Sequence, residues 1–241
     1  MQPRAGLAVF WKNGFMKRFF LTTCFVFVAV ALFAQQSEVR KLSPFNGIKV
    51  SEGIDAYLKK GTKEEVRVEA SGTKLDNVIT EVSGGYLKIH LEEGVYRDRT
   101  VKVYVTYVAI NSLAASSAAN IFHEGVLKAK DLSLKASSAG AIELTAEANT
   151  ISAQASSAGE IVIEGNTDSV ELDTSSAGEI DAYNLTSEKV IAEASSGGSV
   201  KATVIKSLDA RASSGGSIRY RGNPEYSNTN SSSGGSVRKA N

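Results

Sequence analysis

The chain has 241 residues, with 27 basic and 26 acidic side chains and a formal net charge of +1. This near balance gives no support for nucleic acid or an anionic membrane surface as a partner. The single cysteine excludes an internal disulfide, and only three prolines occur, so that no proline-rich linker divides the chain.

The first 34 residues predict a secretory signal peptide. Lys17 and Arg18 precede an uncharged apolar run over 19–34, which has small residues near its end. The alternative is an uncleaved membrane anchor, although this run of 16 residues is shorter than the roughly 20 that cross a bilayer comfortably. Cys24 lies too early in the run, and after the wrong residue, for a lipoprotein signal.

Two details of this segment stay open. Met16 is an alternative start, in which case residues 1–15 precede the protein, and cleavage fits after either Ala31 or Ala34. Export would place residues 35–241 in the periplasm, at the cell surface or outside the cell, with membrane contact only through the signal segment before cleavage. Residues 1–34 contain four basic side chains and no acid, so the exported chain would have a net charge of −3.

Residues 37–110 predict an irregular β layer that begins and caps the fold. Strand-like stretches cover 47–58, 65–70, 78–82, 86–91 and 101–109, with glycine-containing turn signals between them. We expect residues 35–241 to form one domain without a helix of useful length, in which this layer covers the open end of the sheet.

Seven near-copies of one phrase, about twenty residues apart, run through residues 111–241. The second copy reads Ala-Ser-Ser-Ala-Gly over 136–140. The first serines of the copies are Ser116, Ser137, Ser156, Ser175, Ser195, Ser213 and Ser232. A fixed period of this length indicates a solenoid, in which each repeat buries its apolar face against the next.

Around each phrase every second residue is apolar or small, which predicts strands with one buried face. Equivalent strands of successive repeats must then lie parallel. The pattern predicts an all-β fold, namely a right-handed single-stranded parallel β-helix. The predicted interior comprises Leu132, Leu134, Ile142, Leu144, Ile161, Ile163, Leu172 and Ile180.

The same parity, continued through the phrase, places the second serine of each pair inside a corner and the first serine in solvent. The inward row would be Ser117, Ser138, Ser157, Ser176, Ser196, Ser214 and Ser233. We interpret it as a structural ladder of hydroxyls, so that Ser157→Ala should cost more stability than Ser156→Ala. A binding stripe or a nucleophile is the alternative, but seven equivalent serines lack any repeated histidine or lysine partner.

The order of several short motifs resembles a known family. Residues 45–50 (FNGIKV) and 53–58 (GIDAYL), followed by 80–82 (TEV) and 85–89 (GYLKI), are similar to the head GIN domain, also called the putative auto-transporter adhesin family, a domain of unknown function. The similarity extends over roughly 45–237 and includes the repeats. It implies an exported β-helical protein of the Gram-negative envelope, and it supplies no catalytic residues.

Acidic side chains recur at equivalent repeat positions: Glu160 with Glu179, Asp173 with Glu193, and Glu143 with Asp181. A carbohydrate-active enzyme, either a polysaccharide lyase or a glycoside hydrolase, is the alternative function that such rows suggest. Glycoside hydrolysis needs two carboxylates across a groove, whereas these acids are outward alternates of regular strands. Aromatic residues are also scarce over 124–218, where Tyr183 stands alone. We therefore predict no catalytic residues.

No metal or cofactor site is predicted either. His90 and His123 are the only histidines, and His123 with Glu124 is too small a constellation for a metal site. Calcium-binding nonapeptides and phosphate-binding glycine loops are absent from the sequence. Ice binding is a minor alternative, since the solvent-facing serines would form only a single file.

The last repeats are basic and contain Lys201, Lys206, Arg211, Arg219, Arg221, Arg238 and Lys239. A longer excursion over 220–230 separates the final repeats. An uncapped terminal coil with a basic rim would suit a partner, a glycan or a second copy stacked end to end, and simple fraying is the alternative. Together these features favour a non-enzymatic structural, adhesin-like or interaction module of the cell envelope, with a glycan or an envelope protein as its partner.

Overall fold

The computed structural model describes residues 36–96 and 98–240, so the predicted signal segment and its alternative start lie outside the described residues. This part of the chain forms strands and one short 3-10 helix, Leu75–Asn77. The strands are β1 Gln36–Lys41, β2 Gly47–Val50, β3 Asp55–Lys60, β4 Glu65–Ser71, β5 Val78–Ser83, β6 Tyr86–Leu91, β7 Thr100–Tyr107, β8 Ser112–Ala115, β9 Asn120–Ser137, β10 Ala141–Ser156, β11 Glu160–Thr174, β12 Glu179–Ala194, β13 Ser199–Ala212, β14 Ser217–Arg221, β15 Tyr226–Ser231 and β16 Ser236–Lys239. None of the described residues forms a helix with the length and apolar character needed to cross a membrane.

The long strands β9 to β13 pair side by side in parallel, one from each repeat. Ile142 of β10 lies opposite Ile121 of β9 and Ile161 of β11, and Ile161 lies opposite Ile180 of β12. Residues about twenty apart in the chain are therefore neighbours across the ladder. The predicted all-β parallel solenoid is confirmed, with about seven turns. Its right-handed winding stays a prediction.

Each long strand has two arms separated by a bend, and both arms bury alternate residues in one core. In β10 the buried set changes parity between Ala146 and Ile151, across the polar residues Glu147, Asn149 and Thr150. All eight residues predicted to lie inside are at most 3% exposed. A fully buried leucine or isoleucine side chain contributes about 1.5–3 kcal/mol, so the stacked arms supply the main stabilisation.

The serine phrase forms a two-residue turn between the second arm of one long strand and the first arm of the next. Ser157 and Ala158 have φ angles of 50° and 59°, and the Gly159 N–H donates to the Ser156 carbonyl oxygen at 2.9 Å. Positive φ at both central residues is typical of a type I′ turn.

The predicted inward orientation of the second serines is wrong. All seven are exposed, whereas the first serines of the first six copies are half-buried. The left-handed backbone turns each second serine away from the core. The strand alternation therefore holds on both sides of the turn, as in Ala155 and Gly159, and fails at the serine itself.

Backbone hydrogen bonds, not hydroxyls, join neighbouring turns. The Ala139 N–H donates to the Ser157 carbonyl oxygen at 3.0 Å, and the Ala158 N–H donates to the Ser176 carbonyl oxygen at 3.1 Å. The turns also approach the previous coil closely: a side chain at Gly159 would collide with the carbonyl of Ala136. The hydroxyl ladder inferred from the sequence is thus replaced by a ladder of main-chain bonds.

Part of the segment 37–110 belongs to the solenoid. Strands β2 and β3 pair in parallel with β8 and β9, and the intervening residues lie in register with the first serine phrase. Glu52 and Gly53 have φ angles of 65° and 64°, like Ser117 and Ala118 in that phrase. The strand predicted over 47–58 is therefore two strands with a turn between them.

Chain order and spatial order differ at this end. Strands β6 and β7 form a further coil that pairs in parallel with β2 and β3, on the side away from β8 and β9. The remaining strands are antiparallel: β4 pairs with β7, β1 with β4, and β5 with β6. The predicted irregular cap is not confirmed in that form, because β2 with β3 and β6 with β7 are two regular coils of the solenoid.

The last repeats are also regular. Strand β15, which covers much of the excursion predicted over 220–230, pairs in parallel with β13, and β16 pairs in parallel with β14. The described residues up to 240 therefore complete a further coil instead of leaving the stack.

Candidate ligand-binding surfaces

The acidic rows lie where the repeat register predicted. Glu160 is opposite Glu179 on neighbouring strands. Lys201, from the following coil, contacts Glu179 at 2.9 Å and Asp181 at 3.0 Å. Hydrogen bonds from Glu179 and then Asp181 raise the pKa of Lys201. A cation from the next repeat thus compensates this pair of acids.

The second row has the same arrangement. Asp173 lies opposite Glu193, and Arg211 of the next coil contacts Glu193 at 2.9 Å and Asp209 at 2.7 Å. These acids project from one continuous strand surface. Asp173 and Glu193 are neighbours on adjacent strands and line one shallow depression with Arg211, whereas glycoside hydrolysis requires carboxylates on opposite sides of a groove.

The two histidines lie on different strands and make different contacts. The Nδ1 atom of His90 lies 2.9 Å from the Leu91 carbonyl oxygen. In His123, Nδ1 lies 3.1 Å from the Gly125 carbonyl oxygen and Nε2 lies 2.5 Å from the Tyr107 hydroxyl. Burial lowers the pKa of His123 and raises the pKa of Tyr107 to about 12. Both ring nitrogens of His123 are therefore occupied, and no cluster of three metal-ligating side chains occurs in the described residues.

A shallow groove of about 530 Å³ crosses the outer face of the arms that precede the turns. Its floor is a row of small side chains, because Ser112, Ser133 and Ser152 lie opposite one another on consecutive strands. We call it the hydroxyl groove. Its lining residues are Tyr86, Asn111, Ser112, Asp131, Leu132, Ser133, Thr150, Ile151, Ser152, Ser169, Glu171 and Ile191.

The two ends of the hydroxyl groove carry larger side chains. Tyr86 lies across Gly47, where any side chain would collide with the ring, and the Lys49 Nζ lies 4.2 Å from the centre of that ring. Glu171 and Ile191 lie at the other end, and Ile191 is 43% exposed. Six strand spacings separate Tyr86 from Ile191, which corresponds to about 29 Å.

The floor of the groove offers free hydrogen-bonding groups. Within the described chain, the hydroxyls of Ser112, Ser133 and Ser152 have no protein partner, whereas Thr150 Oγ1 donates to Asp131 Oδ1 at 2.6 Å. Each free hydroxyl can both donate and accept. This row was not predicted from the sequence, although Ser133 and Ser152 occupy equivalent outward positions of the alternating pattern.

A parallel β-solenoid with a long outward groove and a row of free hydroxyls defines a repeat protein with an extended outer face. The family model described as "Putative auto-transporter adhesin, head GIN domain" matches residues 44–224. The chain belongs to this family, and the resemblance inferred from its short motifs is confirmed.

Solved structures share the fold. A putative adhesin from Bacteroides fragilis is 18% identical, with a TM-score of 0.77 over 85% of this chain and 96% of that chain. A putative adhesin from Parabacteroides merdae is 17% identical, with a TM-score of 0.69 over 86% and 96%. A putative lipid binding protein from Parabacteroides distasonis is 19% identical, with a TM-score of 0.64 over 86% and 96%. No curated protein matches the sequence.

Proposed function

We propose that this protein is an exported, non-enzymatic adhesin-like module that binds a glycan chain along the hydroxyl groove. The observation that carries the proposal is the row of Ser112, Ser133 and Ser152, whose hydroxyls face outward without protein partners over several coils. A sugar chain presents hydroxyls at regular intervals, and a straight row of small donors and acceptors complements it.

The ends of the groove support the same ligand class. Tyr86 supplies an aromatic surface at one end, and Glu171 at the other end supplies a carboxylate that accepts hydrogen bonds from hydroxyl groups. The groove is open, and its outward row carries three hydroxyls beside apolar side chains, a mixed surface that suits the hydroxyl groups and ring faces of a sugar chain. The adhesin description of the family agrees with a binding role.

A non-enzymatic role is supported by the position of the acids. Glu160 and Glu179 lie side by side on the outer surface, and Lys201 contacts Glu179 from the next coil. Export rests on the signal pattern in residues 1–34. Cell fractionation with N-terminal sequencing of the product tests export and distinguishes cleavage after Ala31 from cleavage after Ala34.

An array of envelope polysaccharides and oligosaccharides, scored for both retention and cleavage, tests the function. Ser152→Tyr fills the floor of the groove and should weaken retention about tenfold or more. Val162→Tyr adds the same side chain at an outward position on the other arm and should leave retention unchanged. Equal retention by both variants contradicts binding along the groove. Cleavage of a polysaccharide that is lost in Glu160→Gln or Glu179→Gln shows that the protein is an enzyme and contradicts the proposed binding module.

A further inference from the structure

Three cationic side chains form one row along the last coils. Lys201 of β13 lies opposite Arg219 of β14, and Arg219 lies opposite Arg238 of β16. Neighbouring strands are about 4.8 Å apart, so these side chains leave the surface as a ladder with that spacing. Like charges directly opposite each other destabilise a sheet, and an anion bound along the row would relieve the repulsion.

The acids of the previous coil compensate only the first member of the row. Lys201 contacts Glu179 and Asp181. Arg219 and Arg238 are exposed, and neither has an ion-pair partner within the described chain. Two adjacent guanidinium groups therefore remain available to an external anion.

A third guanidinium lies beside them. Arg221 is exposed two residues after Arg219, about 7 Å along the strand, and its guanidinium carbon lies 4.0 Å from the centre of the Tyr183 ring. This stacking orients the Arg221 side chain. Ser217 and Ser236 are opposite each other two residues before Arg219 and Arg238, and they add a pair of hydroxyls to the surface.

The charge of the whole region favours an anionic ligand. Residues 199–241 contain seven basic and two acidic side chains, whereas residues 120–198 contain four basic and thirteen acidic side chains. The near-neutral composition of the chain thus conceals a basic end next to an acidic middle. Such a separation of charge concentrates anions near the last coils.

We propose that Arg219, Arg221 and Arg238 form a site for the carboxylate or phosphate groups of an acidic polysaccharide. Guanidinium groups bind both anions through paired hydrogen bonds. The site lies on the arm that follows the turn, whereas the hydroxyl groove lies on the arm that precedes it, so this proposal does not depend on the groove.

A polysaccharide fits this surface better than a lipid bilayer. Ser217 and Ser236 precede Arg219 and Arg238 in the outward rows, and Arg221 stacks on Tyr183. None of the exposed large apolar side chains of the described residues belongs to β14 or β16. The surface therefore has nothing to insert into the apolar part of a membrane. A linear polymer, by contrast, can present successive anions along the row.

Polygalacturonate is the test polymer, with dextran as the neutral control and inorganic phosphate as the free anion. The double variant Arg219→Gln/Arg238→Gln should weaken polygalacturonate binding about tenfold or more, measured by isothermal titration calorimetry at low salt. The matched control is Lys60→Gln/Lys74→Gln, which removes the same charge from exposed positions outside the row and should change binding less than about twofold. Arg219→Lys/Arg238→Lys should restore binding only in part, because lysine lacks the paired donors.

Folding is a separate readout of the same variants. Removing two adjacent like charges should leave the melting temperature unchanged or raise it, so that lost binding does not reflect an unfolded protein. The proposal is overturned if Arg219→Gln/Arg238→Gln and the control Lys60→Gln/Lys74→Gln lose binding equally. It is also overturned if dextran binds as tightly as polygalacturonate. Binding to phosphatidylglycerol vesicles without binding to polygalacturonate also overturns it. So does self-association of the basic coils with the acidic coils of a second copy, measured by ultracentrifugation, when polygalacturonate does not bind.

Discussion

The second serine of each turn has a backbone conformation that most residues avoid. The φ angles of these seven serines lie between 47° and 52°. Most residues other than glycine cost about 1–2 kcal/mol in the left-handed region, and asparagine is an exception because its short polar side chain can hydrogen-bond locally. Because these side chains are exposed, the backbone and not packing determines which residue is best at this position.

Replacement of Ser157 by asparagine should therefore stabilise the protein. We expect Ser157→Asn to raise the free energy of unfolding by about 0.5–1 kcal/mol, because asparagine favours the first central position of a type I′ turn. Urea denaturation measures the change. Ser156→Asn, which precedes the left-handed pair, should give no gain, and Ser157→Ala should change stability by less than about 0.5 kcal/mol. A large loss of unfolding free energy in Ser157→Ala would instead support the inward hydroxyl ladder.

The contact between His123 and Tyr107 makes stability depend on pH. The Gly125 carbonyl accepts from Nδ1, so Nε2 accepts from the Tyr107 hydroxyl and the imidazole is neutral. Burial lowers the folded-state pKa of His123 below its unfolded value of about 6.5. The stabilising contribution is then complete above about pH 6.5 and is lost as the pH falls through the folded pKa.

Chemical denaturation near pH 8 and near pH 5 tests this dependence. The wild-type protein should lose more stability on acidification than His123→Gln, whose side chain does not titrate. His90→Gln is the control and should follow the wild type, because the His90 ring makes its hydrogen bond to the carbonyl of the adjacent residue, Leu91. Identical pH profiles for wild type and His123→Gln would show that the pair carries no such linkage.

At the scale of the element, the turn is where successive coils come closest. The Gly159 position faces the carbonyl of Ala136 in the previous coil, and the same is true of Gly140 with Ala115 and Gly178 with Ala155. These glycines do not need a positive φ angle. They are required because the strand spacing leaves no room for a Cβ atom next to a main-chain oxygen.

Gly159→Ala should destabilise the protein by about 1–3 kcal/mol through overpacking against that carbonyl. Thermal denaturation followed by circular dichroism measures it. The neighbouring change Ala158→Gly is the control, since Ala158 is exposed with a φ angle of 59°, and it should leave stability unchanged or increase it. Equal stability of Gly159→Ala and the wild type would mean that the coils separate more easily than their spacing indicates.

At the scale of the whole molecule, the last coil of the solenoid has polar inward positions on one arm. In the last coil the inward positions are Ser227, Thr229 and Ser231, opposite Leu208, Ala210 and Ala212 of the preceding coil. The β15 arm of the final layer thus covers the aliphatic core with hydroxyl-bearing side chains, whereas Val237 of β16 covers Ile218. A polar terminal layer lowers the tendency of an exposed strand edge to pair with a second copy.

This end should self-associate when its inward positions are made apolar. We expect Ser227→Leu/Thr229→Val to produce concentration-dependent oligomers in sedimentation velocity, whereas the wild type stays monomeric at the same concentration. Ser232→Leu adds an apolar side chain in the turn of the same coil and is the control. End-to-end oligomers of the wild-type protein would contradict the protective role of the polar layer.

The sequence by itself determined the solenoid, its parallel register and most of its interior. A period of about twenty residues repeats the same alternation, so equivalent residues such as Ile142, Ile161 and Ile180 can only stack. Local burial patterns and repetition carry this information, and neither depends on distant contacts. The head GIN family is also readable from short motifs in their order.

Only the tertiary structure decided the orientation of the turn serines and the order of the first coils. Alternation cannot reveal a left-handed backbone when the turn carries Ser-Ala instead of the Asn-Gly that usually marks it, although glycine at 197, 215 and 234 was a signal. The position of β2 and β3 between later strands depends on pairing across large sequence distances. The hydroxyl groove and the arginine row have the same origin, because each exists only where separate coils place equivalent outward residues side by side.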